Sequence, residues 1–159
     1  MYLSEVCRII NAGPPEATFG ITGVYVNMEN FSHLTCILQM GVGAAATITV
    51  EKDADGAGAG TAIAFKYRMC NTAYNAAGGD TLADEVQIVG AGGVAMGATD
   101  NSFMVIELDA AELLDFTTTG AVNYPYVRVV ATTGGAGVGA FIYILSGQRY
   151  KDAPTALTV

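Results

Sequence analysis

The feature that most restricts the fold of this chain is a two-residue apolar alternation, interrupted again and again by glycine. The run 61–69 is the plainest case. Ile63, Phe65, Tyr67 and Met69 fall on one side, while Ala62, Ala64, Lys66 and Arg68 fall on the other. Successive side chains of a strand point to opposite faces, so the pattern is that of a strand with one buried face. Comparable runs occupy 24–28, 34–40, 45–52, 82–89, 103–108, 126–132 and 141–145. Much of the chain's glycine, 20 residues in 159, lies between them. No long segment carries the helical period. About eight short strands joined by glycine-rich turns predict an all-β, antiparallel β-sandwich of jelly-roll or Greek-key type.

Individual runs carry further expectations. Leu34, Cys36, Leu38 and Met40 share one face, which makes Cys36 a small buried hydrophobe. Val24, Val26 and Met28 alternate with Tyr25 and Asn27. Ile48 and Val50 alternate with Thr47, Thr49 and Glu51, and the segment 53–60, rich in Asp and Gly, joins this run to 61–69 as a hairpin tip. Met104, Ile106 and Leu108 share a face in 103–108. The run 141–145 is apolar on both faces, which predicts a central strand. Asp109 followed three residues later by Glu112 has the spacing of a capping box and predicts one helical turn. Residues 1–18 read as an extended N-terminal arm, in which 4–10 fits either one helical turn or an edge strand and 11–15, with Pro14 and Pro15, cannot continue a helix or a central strand. The sandwich spans 19–149, and 150–159 reads as an extended tail.

Composition narrows the function classes. Charged residues make up 14% of the chain and apolar residues 52%. Such a surface is poor in charge and rich in small and apolar groups, as expected of an assembly subunit that meets partners. The net charge is −8, from 15 acids against 7 bases, with no basic cluster. Binding to nucleic acid or to anionic lipid is therefore not expected. Residues 1–10 lack a signal-peptide pattern and no run is long enough to span a bilayer, so no membrane partner is expected. Cys7, Cys36 and Cys70 form neither a disulfide framework nor a zinc signature and suit a reducing cytoplasm.

The candidate chemistry is sparse. Glu51, Asp53, Asp55 and Gly56 match positions one, three, five and six of a calcium loop, but Ala62 stands where the bidentate glutamate belongs. The GxGxxA spacing at 135–140 precedes a strand-like segment, not the helix that a pyrophosphate site requires. His33, the sole histidine, reads as a turn residue at the start of a strand. It faces away from Cys36, because positions three apart in a strand point to opposite sides. Asp84, Glu85, Asp109, Glu112 and Asp115 read as loop or helix-end charges. No catalytic residue, cofactor or metal is expected, and the chain is not expected to be an enzyme. Tyr124, Tyr126, Tyr143 and Tyr150 suit either a core or an interface. Tyr124, Tyr126 and Tyr150 are taken as interface candidates. A carbohydrate-binding module with Tyr124 and Tyr126 as its platform, or with calcium at Asp53 and Asp55, is the alternative.

Several segments resemble small virion proteins of tailed bacteriophages, of the capsid decoration or cement type. Asn27-Met28-Glu29-Asn30-Phe31 leads into the strand 34–40 and is followed by the hairpin 45–69 with its Asp/Gly tip. Phe103-Met104-Val105-Ile106-Glu107-Leu108 comes next, with Leu113-Leu114-Asp115 after it. Tyr124-Pro125-Tyr126-Val127-Arg128-Val129 is similar to a Tyr-x-x-Val-Arg strand of the group, and the match closes with Gly147-Gln148-Arg149-Tyr150. The resemblance implies a protein made in the host cytoplasm that binds the capsid exterior. It would bridge major capsid proteins as a homotrimer, with the arm and the tail as contacts. A tail or head-completion position is the other virion role it allows.

Overall fold

The computed structural model describes residues 6–16, 20–43, 45–70, 82, 86–88, 92–96, 103–117, 120–133 and 137–148. These residues form an all-β sandwich of antiparallel sheets. The larger sheet has six strands in the order β1 (Arg8–Glu16), β13 (Gly137–Gln148), β3 (Phe31–Gly43), β9 (Phe103–Asp109), β6 (Phe65–Cys70) and β7 (Val86–Ile88). The smaller sheet runs β2 (Val26–Asn27), β12 (Tyr126–Thr133), β4 (Ala46–Asp53) and β5 (Thr61–Ile63). Strand β8 (Val94–Met96) pairs with β4 at Ala46–Ile48, on the β5 side but at the other end. A separate hairpin, β10 (Leu114–Thr117) with β11 (Gly120–Asn123), follows the 3-10 turn η1 (Ala110–Leu113).

The core lies between the sheets and is filled by the alternating residues of both. Leu34, Cys36, Leu38 and Met40 of β3, Met104, Ile106 and Leu108 of β9, and Ile48 and Val50 of β4 are all buried, as their spacing predicts. Strand β13 is central, between β1 and β3. Its Tyr143 ties the two sheets together, because the buried hydroxyl accepts a hydrogen bond from the Val129 N–H of β12 at 2.7 Å. Beside it, Gly23 donates to the Val129 carbonyl at 2.9 Å. A Cβ on Gly23 would lie 2.4 Å from the tyrosine oxygen, so the position needs glycine for close approach.

Three details differ from the pattern reading. Thirteen strand segments occur among the described residues, not about eight, because several are only two to four residues long. The run 61–69 is two strands. It breaks at Ala64, where the chain leaves the smaller sheet and joins the larger one. Its apolar side stays inward because both sheets face one core. Val24 is exposed although Val26 and Met28 are buried. Regular pairing begins only at Val26, and the Val24 N–H instead reaches the Ala12 carbonyl at 2.9 Å. Residues 8–16 of the expected arm form the edge strand β1 on the chain's own domain. An edge position is what Pro14 and Pro15 permit, since neither has an N–H to donate. The expected tail 150–159, with Tyr150, lies outside the described residues, as do Asp84 and Glu85.

Candidate functional site

The outer face of the six-stranded sheet is divided in two. Strand register aligns Ile9, Ile144, Thr35, Glu107 and Lys66 in one row across β1, β13, β3, β9 and β6. The adjacent row is Asn11, Ile142, Ile37, Val105 and Arg68. On the β1–β13–β3 side four of the six positions are isoleucine, with Thr35 and Asn11 at the ends of the two rows. Ile9 is 51% exposed, Ile142 43% and Val138, further along β13, 42%. Ile37, Ile144 and Val105 are half-buried beside them. The cause is local and visible in β13, where Phe141, Tyr143 and Leu145 fill the core while β-branched residues occupy the opposite face.

The β9–β6 side is ionic and centres on His33. This residue lies inside β3, not in a turn before it; Glu29 and Asn30 make the turn, and pairing begins at Phe31. Its Nδ1 is 2.8 Å from the Asp109 carboxylate, and its Nε2 faces the Glu107 carboxylate. Thr35 donates to the same Glu107 oxygen at 3.2 Å. Glu112 accepts the Asp109 N–H at 2.9 Å, so the predicted Asp109–Glu112 pairing opens η1. Lys66 stands 3.8 Å from Glu112. Partial burial of the imidazole disfavours its charge, but the hydrogen bonds and charges of Asp109 and Glu107 outweigh that, and the His33 pKa is raised above 6.5. An open cleft of about 380 Å³ lies over this cluster, with Lys66, Arg68 and Leu82 on its walls.

The residues singled out from the sequence go elsewhere. Tyr124 is half-buried, and the Lys52 ammonium sits 4.7 Å from its ring centre. Lys52 occupies a core-facing position of β4, is 4% exposed, and reaches Asp115 of β10 at 2.5 Å. Tyr126 is half-buried against the hairpin tip, and a Cβ on Gly56 would lie 2.6 Å from its ring. The φ of Gly56 is +71°, so glycine is required there twice over. The structure therefore brings Tyr124 and Tyr126 against their own chain. Around the tip, Asp53 accepts the N–H groups of Gly58 at 3.1 Å, Ala54 at 2.9 Å and Ala57 at 3.1 Å. Asp55 also accepts from Ala57, at 2.9 Å. Those bonds, Gly58 first, hold the Asp53 carboxyl below its ordinary pKa. The aspartates thus organise the turn itself. Gly137 and Gly139 of the 135–140 spacing lie in β13, a strand. Cys36 is buried and unpaired, with its thiol pKa raised by burial.

The isoleucine face and the His33 cluster were not singled out from the sequence. The only signal for the first is the doubly apolar run 141–145, and the second depends on the register between β3 and β9.

No family model matches the chain, and no curated protein matches it. Among solved structures it is similar to the SPBc2 prophage-derived protein YomS, with 11% identity over 88% of this chain and 93% of that one. The TM-score is 0.43, a likeness too loose to carry an argument about function.

Proposed function

We propose that this chain is a structural subunit of a tailed-phage virion, a decoration protein that binds the head exterior and bridges major capsid proteins. The observation that carries this reading is the open isoleucine face. Ile9, Ile142, Ile144 and Ile37 come from three adjacent strands and leave a contiguous apolar surface in a chain poor in charge. Asn11, Thr35 and the His33 cluster rim it. An apolar centre with a polar rim is the anatomy of a protein interface. The capsid as the partner is what the resemblance of segments such as 124–129 implies.

The mechanism is burial of shared surface. At about 25 cal/mol per Å², a few hundred Å² of apolar contact supplies several kcal/mol before association costs. Repetition over a lattice, with the chain clustered as a homotrimer, multiplies weak contacts into firm attachment. This role requires no catalytic residue, cofactor or metal, and no nucleic acid or membrane. In it the edge strand β1 contributes Ile9 to the contact face, Tyr124 and Tyr126 brace the chain internally, and the tail with Tyr150 is a second contact.

The test is co-sedimentation with empty phage heads together with the mass of the purified protein in solution. Saturable binding and a trimeric mass are expected. A monomer that leaves the heads undecorated at micromolar concentration overturns the reading.

A further inference from the structure

Both ring nitrogens of His33 face carboxylate oxygens. Nδ1 is 2.8 Å from Asp109 and Nε2 is against Glu107. A neutral imidazole has one N–H, so one of its nitrogens would turn a lone pair toward a carboxylate lone pair. Only the imidazolium donates to both. The geometry is therefore that of the protonated ring, whatever its titration midpoint.

The surroundings do not relieve that requirement. From β9 come Glu107 and Asp109, and from η1 comes Glu112. From β6, Lys66 and Arg68 line the same cleft. From β13, Ser146 lies opposite His33 in register and carries no charge. Thr35, on His33's own strand, donates to Glu107 at 3.2 Å. Lys66 is 3.8 Å from Glu112, a carboxylate that does not hold the histidine.

The two carboxylates also stand at a structural junction. Asp109 ends β9 and opens η1, where its own N–H is held by Glu112 at 2.9 Å. The turn leads directly into β10, whose Asp115 holds Lys52. We propose that His33 is a proton-operated clamp. With both nitrogens protonated it fastens β3 to the β9–η1 corner through Glu107 and Asp109, and on losing a proton it releases one carboxylate and loosens that corner.

The sign follows from linkage. The folded state favours the protonated ring, so the clamp is fully engaged below the unfolded histidine value near 6.5 and is lost as pH rises through the higher folded value. Because the chain has one histidine, proton NMR of the intact protein reads its titration without ambiguity. Amide hydrogen exchange over 107–115, measured from about pH 5 to about pH 9 and corrected for intrinsic chemistry, reads the corner. A midpoint above 6.5 is expected. The local protection should fall roughly tenfold for each unit by which that midpoint exceeds 6.5. Glu107→Gln with Asp109→Asn should bring the midpoint down, and His33→Gln should abolish the exchange step. A wild-type midpoint at or below 6.5, or the same step in a folded His33→Gln protein, overturns the clamp. The wild-type titration alone decides the first point, so a variant that fails to fold does not blunt the test.

Discussion

The outer faces of the two sheets are built from strands of similar period, yet they end in opposite states. On the smaller sheet the outward side chains satisfy one another. Arg128 lies 4.4 Å from the Tyr25 ring centre and donates to Glu51 at 2.7 and 2.8 Å. Tyr126 is covered by the hairpin tip, and the exposed Thr47 and Thr132, opposite each other in register, are polar. On the larger sheet Ile9 of β1, Ile142 and Ile144 of β13 and Ile37 of β3 point outward beside Asn11 and Thr35, with nothing beyond them among the described residues. The difference teaches that one face is finished within the chain, whereas the other is left open for the neighbour that the proposed function gives it.

The strongest way to break this comparison is to make matched polar changes on both faces. Ile9→Gln with Ile142→Gln should weaken head binding by tenfold to a hundredfold or more. Full burial of each isoleucine is worth about 1.5–3 kcal/mol, and about 1.4 kcal/mol is a factor of ten. Thr47→Gln with Thr132→Gln, on the smaller sheet, should leave binding unchanged in the same sedimentation assay. Equal losses from both pairs would mean that the faces do not differ in role.

The next test separates the two sides of one strand. Tyr143 alternates with Ile142 and Ile144 but points inward, where its hydroxyl satisfies Val129. Tyr143→Phe leaves that buried N–H without its partner and should cost about 1–3 kcal/mol of unfolding free energy in a denaturant titration. Association should persist wherever the variant is folded. A smaller loss is expected from Arg128→Ala, about 1–2 kcal/mol, because the ion pair it removes is partly solvated. That loss should be level across neutral pH, in contrast to the His33 clamp.

How much of this was legible depends on whether the cause was local. The inward set of β3, β4 and β9 follows from a two-residue period, so Cys36 and Met104 could be placed inside from spacing alone. The central position of β13 followed from its two apolar faces. Legibility ended where the second face had to be assigned, since the same pattern describes a strand covered on both sides. The break at Ala64 was hidden because a strand that changes sheets around one core keeps its alternation. Register between distant strands was invisible as well. His33 meets acids 74 and 76 positions away, so its cluster appears only when β3 and β9 are aligned. The partner of Tyr124 within the chain, the buried ammonium of Lys52, was invisible because it lies on a different strand.

The smallest expected effect is also the one whose pH sign opposes the clamp. At the tip beside the finished face, Asp53 must be ionised to accept the N–H groups of Gly58, Ala54 and Ala57 at full strength. Its folded pKa lies below the ordinary aspartate value of 3.8. A depressed acid contributes stability above the unfolded value and loses it as pH falls through the folded one. Acidification should therefore speed amide exchange at Ala54, Ala57 and Gly58; alkalinisation should loosen the His33 corner and leave the tip intact. Asp53→Asn keeps the shape of the side chain but not its charge, so it should remove the acid response of Ala54 and Gly58, while Ala57, which Asp55 also holds, keeps part of its own. If alkalinisation opened the tip together with the corner, the tip's carboxylates would not be the cause, and the contrast between a self-contained tip and a proton-dependent corner would fail.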